Sequence, residues 1–373
     1  MNVKKCSICG SKLVKNGKTS SGKQRWLCKS CKQSSTANNK NNYFKFCAYL
    51  NWLLSKKTQQ EQVVADRTFR LHNEEFWKYW AMPEFVDEVH KVIFCDGIYL
   101  SRNLVILIAC SKTHVLSWYL ARSENSNSWA ALLGTIVPPD LVVTDGGTGF
   151  KKAVKKVWGT TAVQRCTFHV SQQIRRYTTQ RPRLRAGKEL LKLSRVLTKI
   201  STLNEARLWI DAYLEWSNKW YDFLQEKSRN EYGQLVYTHE RLRKARNSIN
   251  SLLREDTLFT YLNPMLSHDD KLPATNNVIE GMVNSQLREV LRNHRGLPLI
   301  KRAKACFWWC YLHAEYKLPI KSILKNMPTD QDIDDLYSQL DIFKRNNESL
   351  PGWGDGIVWN EFHTKTPYPF YHD

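Results

Sequence analysis

The sequence predicts a mixed α/β protein, on three observations. Apolar runs of strand length recur at Val92–Phe94, Leu104–Cys110, Val115–Leu120 and Leu141–Val143, and a fifth strand is expected over Ala162–Phe168. Helical patterns at Asn127–Ile136 and Phe150–Trp158 interrupt them, so three strands are followed by helix, strand, helix and strand. Two of the runs end in the same way, as Asp96-Gly97 and Asp145-Gly146-Gly147. In that order the first and fourth strands can lie side by side, which would bring Asp96 and Asp145 to one edge.

Composition sets the bounds. With 373 residues, 42% hydrophobic and 24% charged, the chain is long enough for two or three domains with real cores and is not a disordered polymer. Its longest strongly apolar runs fall short of the ~20 residues of a membrane span. The basic N-terminus lacks the apolar stretch of a signal peptide. A cytoplasmic protein is therefore expected, its ten cysteines reduced or metal-bound rather than paired. The formal charge is +21 and uneven: residues 1–60 hold thirteen Lys or Arg and no acid, and Arg175–Lys199 holds nine bases and one acid. From Asn326 onward nine acids face three bases. Such clustering suits a polyanionic partner, nucleic acid above all.

Cys6-x-x-Cys9 and Cys28-x-x-Cys31 can turn four thiolates toward one ion, completing a tetrahedral Zn²⁺ site with no open position. Lys12–Lys15 and Gln24–Leu27 read as short strands around a Gly- and Lys-containing loop, giving a zinc ribbon over 1–40. A structural metal is needed there, because ~40 residues bury too little apolar surface alone. Residues 41–88 are helical in pattern. Phe44, Cys47, Leu50 and Leu53 form an expected apolar stripe, and a second helix is expected to run to Trp80. Helix, polar turn, helix is a helix-turn-helix pattern; a plain helical spacer is the alternative.

Two adjacent carboxylates repel unless a cation lies between them, and hard oxygen ligands suit Mg²⁺ or Mn²⁺. A two-metal centre needs a further acid. Glu280 offers it, at the start of a helix whose apolar face is Ile279, Met282, Val283, Leu287 and Val290. Asn284, Arg288, Arg292 and Arg295 follow Glu280 along one side, as would suit a DNA strand laid over a metal site. The bland alternative for this segment is a solvated face with one acid.

With these residues in hand, the chain resembles a DDE transposase of the Mutator-like superfamily, in its bacterial insertion-sequence branch. The resemblance rests on the two Asp-Gly corners, on Gln164-Arg165-Cys166-Thr167-Phe168-His169 with its C-x-x-H, on Thr275-Asn276-Asn277-Val278-Ile279-Glu280 followed by Arg295-Gly296, and on Gln24-Arg25-Trp26-Leu27-Cys28 in the ribbon. It extends to about Leu318. It implies a ribonuclease-H-like catalytic core, 89–182 and 273–318, interrupted by an all-α insertion domain, 183–272, which accounts for the 135 residues between Asp145 and Glu280. An aromatic stripe of Leu208, Trp209, Trp216, Trp220 and Phe223 is expected in the insertion's core. It further implies Asp96, Asp145 and Glu280 as catalytic ligands of Mg²⁺ or Mn²⁺. Cys166, His169, Asn277 and Asn284 would belong to the active-site region, and Arg25, Arg175, Arg176, Arg288, Arg292 and Arg295 would contact DNA. The expected partners are transposon ends and target DNA, held by a homodimer or larger assembly, in the bacterial cytoplasm at the nucleoid. A DNA-binding protein derived from such an enzyme, and a metal-dependent nuclease without strand transfer, are the competing readings. The acidic tail over 319–373, with Trp353, Trp359, Tyr368 and Phe370, matches nothing in the resemblance.

Overall fold

The computed structural model describes residues 5–6, 11–20, 22–36, 40–55, 61, 66–267, 270–336 and 338. Cys9, most of the polar turn before Asp66 and the aromatic residues of the acidic tail lie outside them. At the N-terminus β1 (Leu13–Lys18) and β2 (Gln24–Cys28) form an antiparallel hairpin with Leu13 opposite Cys28, and β3 (Ser34–Ser35) adds to β2.

The helices α1 (Lys40–Leu54) and α2 (Asp66–Glu74) follow. The buried stripe of α1 is Phe46, Tyr49, Leu50 and Leu53, and Phe44 is 65% exposed. The expected phase was off because a strict three-residue step drifts around a 3.6-residue helix; alternating steps of three and four stay on one side. The second helix also stops at Glu74, short of Trp80. Residues 76–80 are fixed by tertiary contacts instead: Trp80 N–H donates to Pro328 O, its indole donates to Asp330 Oδ1, and Lys304 bonds both Trp77 O and Asp330.

The centre of the protein is a five-stranded mixed sheet in the order β6-β5-β4-β7-β8, formed by β4 (Val92–Ser101), β5 (Leu104–Cys110), β6 (Val115–Ala121), β7 (Leu141–Thr144) and β8 (Ala162–Arg165). β4, β5 and β6 are antiparallel neighbours; β7 and β8 run parallel to β4. Period-two alternation divides the central strands between two cores. Phe94, Ile98, Ile106, Ile108 and Val143 face one side, packed with α1, α2 and α13 (Leu299–Leu312). Ile93, Cys95, Val105, Leu107 and Val142 face the other, under α3 (Ser126–Leu133) and α4 (Thr148–Val157). Burial on both faces is why these strands read as unbroken apolar runs; each such side chain contributes about 1.5–3 kcal/mol. Asn125 caps α3, and the Trp158 indole ties α4 to Leu133 O and Ile136 O.

β8 ends at Arg165, earlier than expected, and α5 (Thr167–Thr178) starts at once, with Cys166 as its N-cap residue. The next segment is α6 (Arg185–Leu197), α7 (Leu203–Lys219), α8 (Tyr221–Gln225) and α9 (Glu240–Arg254), then a 3₁₀ turn at Thr260–Leu262 and α10 (Pro264–Ser267). It is not wholly helical: β9 (Lys227–Arg229) and β10 (Leu235–Tyr237) make a hairpin whose turn places Gly233 at φ +73°. Trp209, Tyr213 and Trp216 are buried there, while Leu208 is exposed. The chain then returns to the sheet as one helical run, α11 (Asn277–Ile279), a π-helical turn Glu280–Asn284 and α12 (Ser285–Asn293), before α13 and α14 (Ile320–Asn326). Among the described residues no helix is long and apolar enough to cross a membrane.

Candidate active site

Parallel pairing of β4 with β7 sets Cys95 beside Thr144, so Asp96 and Asp145 are the next residues on neighbouring strands. Asp96 alternates with Phe94 and Ile98, which directs it to the face where the Asn277–Asn293 helical run packs. Its Oδ1 accepts from Gly97 N–H at 2.9 Å and its Oδ2 from Asn284 Nδ2 at 2.7 Å. Burial first, then the charge of Asp145, push Asp96 up to about 6; the two hydrogen bonds oppose this and Glu280 adds to it.

Glu280 opens the π-helical turn that Asn284 closes. π-turns insert a residue into a helix and occur often at functional sites. Here the turn puts Glu280 toward His169 while Asn284 bonds Asp96. His169 Nε2 lies 3.4 Å from Glu280 Oε1, an ion-pair contact. The Cys166 thiol beside the ring, then the charges of Glu280 and Asp145, raise the His169 pKa against its desolvation. Cys166 is buried, and its sulfur accepts from Asn276 N–H at 3.2 Å. Asn276 Nδ2 donates to Cys95 O at 3.2 Å, which fastens the start of the helical run to β4. Asn277, the expected neighbour of the site, is exposed; the buried Asn276 makes those contacts instead.

Two charged side chains went unread in the sequence. Glu124, between β6 and α3, lies over Gly97, where its Oε1 would be 2.6 Å from any added Cβ. Burial, then Asp145 and Asp96, push Glu124 up to about 7, against a hydrogen bond from Tyr99. Arg165 lies over Gly146 in the same manner, its Nη1 1.8 Å from where a Cβ would stand. Gly146 has φ +89°, so both conformation and space demand glycine. Desolvation lowers the Arg165 pKa and Asp145 opposes it; its Nη1 is buried with no hydrogen-bond partner among the described residues. A lone acid before a helix and a lone base after a strand carry no signal until the strand order is known.

The acids gather at one sheet edge without meeting at a point. Among the described residues, three acidic, His or Cys ligand atoms come within 4.8 Å of one another only at Cys6–Cys28–Cys31 and at Glu88–His90–Glu315. The acid edge nonetheless fits a hard cation. Glu280 Oε1 and Asn284 Oδ1 are buried without hydrogen-bond partners among the described residues. Burial first, then the neighbouring carboxylates, raise the pKa values of Asp96 and Glu124, and a cation would relieve the repulsion. At the other cluster, Cys6 and Cys31 sulfurs are 3.5 Å apart, close to the ~3.8 Å edge of a tetrahedral thiolate site. Arg25, Arg176, Arg288, Arg292 and Arg295 are exposed, and Arg175 is half-buried.

Residues 82–290 match a family model described as Transposase, Mutator family. The match covers more than half of the chain and contains all four carboxylates, Arg165, Cys166 and His169. No curated protein matches the chain.

Proposed function

The chain belongs to the Mutator family of transposases, and we propose that it nicks DNA at the ends of its insertion sequence and joins the freed 3′-hydroxyl to target DNA. The centre would be Asp96, Asp145 and Glu280 on a ribonuclease-H-like core, with the segment between α5 and α11 as its insertion domain. One observation carries this reading: Asn284, one turn beyond Glu280, bonds Asp96, which like Asp145 directly follows the last parallel pair, Cys95 with Thr144. Three remote acids thus share one sheet edge.

Mg²⁺ or Mn²⁺ held by these carboxylates would supply charge stabilisation to the attacking and leaving oxygens of phosphoryl transfer. The chain's own residues do the rest. Asn284 and Gly97 hold the Asp96 carboxylate in one orientation, ready to bind as the anion. His169, its pKa raised first by the Cys166 thiol and then by nearby carboxylates, lies 3.4 Å from Glu280 and would restrain it until a cation competes for it. Arg165 offers an unused N–H beside Asp145 for a phosphate oxygen. No serine or tyrosine nucleophile is required.

Cys6, Cys9, Cys28 and Cys31 would hold a structural Zn²⁺ that fixes the N-terminal hairpin. That ribbon and α1–α2 would read the terminal repeats, and Arg25, Arg175, Arg176, Arg288, Arg292 and Arg295 would bind backbone phosphates. Bringing two ends together calls for a dimer or larger assembly, working on the nucleoid in the bacterial cytoplasm. The test is to incubate the protein with Mg²⁺ and DNA carrying the ends that flank its gene, beside Asp145→Asn. Nicked and joined products are expected from the parent alone, with binding kept in both. Binding without cleavage would support a scaffold; cleavage without joining, a nuclease. Unchanged cleavage by Asp145→Asn would sink the assignment.

A further inference from the structure

Beyond the acids, a cleft of about 820 Å³ opens between α5 and α6. Arg175, Arg176, Arg195 and Lys199 line it, with Gln172 and Gln180 between them, and no carboxylate does. Four cations around one concave surface repel one another, and an anion of matching length relieves that repulsion.

The cleft is joined to the acid edge by α5. His169, Gln172 and Arg176 recur at steps of three and four and share one side of that helix. Val170, Ser171, Ile174 and Thr178 are buried on the opposite side. One face therefore touches Glu280 through His169 at its first turn and enters the cleft at its last. Seven residues of helix from His169 to Arg176 rise about 10.5 Å. Successive phosphates of one B-DNA strand advance about 3.4 Å along the axis, so that span is about three nucleotides.

We propose that the α5–α6 cleft seats the phosphodiester backbone of the transposon-end strand about three nucleotides from the scissile phosphate. Gln172 and Gln180 would add neutral hydrogen bonds between the charged contacts. The cleft would fix which phosphate lies over the acids, so the bond that is cut is measured from α5. The proposal rests on the acids being the cutting centre, but its test does not.

In an Asp145→Asn background, which binds without cutting, Arg176→Glu/Arg195→Glu is compared with Lys227→Glu/Arg229→Glu. The second pair reverses the same charge on the exposed β9 strand. Binding to end DNA is measured between about 50 and 200 mM salt. The cleft variant should lose at least ~10-fold more affinity than the control, and its log K against log salt slope should fall by about 2, the loss of two phosphate contacts. Equal behaviour of the two variants overturns the proposal. Both pairs lie on the surface, and unchanged thermal melts will show that folding is not the cause. If the parent cuts DNA but the variants bind alike, the cleft falls and the cutting centre stands. If the parent does not cut but the slopes differ as stated, the cleft stands as a seat for the DNA backbone, and its register to a scissile phosphate falls with the cutting centre.

Discussion

Asp96-Gly97 and Asp145-Gly146 are the same dipeptide in two settings: β4 runs on through the first to Ser101, against the expected strand end, whereas β7 stops just before the second. A carboxylate, Glu124, lies over the first glycine; a guanidinium, Arg165, lies over the second. The first glycine is in an ordinary extended strand and needs only space. The second needs both space and a left-handed φ. One corner thus accumulates negative charge, and the other carries a desolvated cation beside its acid. On the proposed function, the same dipeptide would serve a cation-binding edge on one side and a phosphate-facing edge on the other.

Four measurements would break or sharpen this contrast. The largest effect is expected from Arg165→Gln. Losing a buried donor aimed at transition-state charge typically costs ~10²–10³ in rate, and DNA affinity should change little. Glu124→Gln, by comparison, should shift the divalent-ion requirement. Equal rate losses with no shift in that requirement would erase the difference between the corners.

The second is a pH dependence. Burial and mutual repulsion push Asp96 up to about 6 and Glu124 up to about 7, from ordinary values of 3.8 and 4.5. A raised pKa means the folded state holds its proton longer, so the stability it contributes is full in acid and is lost as pH rises through the folded values. Metal-free protein should lose up to about 6 kcal/mol between about pH 4 and 8 by denaturant titration, about half from each group. Asp96→Asn should flatten about half of that slope, and Mg²⁺ should stabilise more at the alkaline end. A slope of opposite sign would contradict the charge arrangement.

Third, Gly146→Ala forces an L residue into a left-handed conformation and drives its Cβ into Arg165, an expected loss of about 2–4 kcal/mol. Smallest, Gly97→Ala meets mainly the flexible end of Glu124 and should cost about 1 kcal/mol or less. If the two losses were alike, Arg165 would be as free to move as Glu124.

Much of this edge was legible in the sequence, because a strand buried on both faces leaves an unbroken apolar run and its end is marked by polarity. Asp145 was legible that way, Asp96 from the polar break within its strand, and Glu280 and Asn284 from the helical spacing of the apolar face beside them. Glu124, Arg165 and Asn276 were not, since each matters through what it faces across the fold. Helix phase failed at Phe44, where a strict three-residue step misled, and helix length failed at Phe76–Trp80, where packing against Asp330 and Lys304 overrides local preference. The hairpin at Lys227–Tyr237 was readable in principle from Asn230 and Gly233, but helical residues on both sides masked it.

The bond between Asp96 and Asn284 spans 188 residues. At about 5–20 residues per second of synthesis, the second partner leaves the ribosome some 10–40 s after the first. Throughout that interval the growing chain already presents its basic N-terminus and Asp96, and Asp145 joins them about a quarter of the way through. The strand that anchors the cutting edge waits for the helix that completes it. On the proposed function, a product truncated between Lys199 and Glu280 would keep the basic segments and lack the last acid, and so would compete for DNA without cutting it.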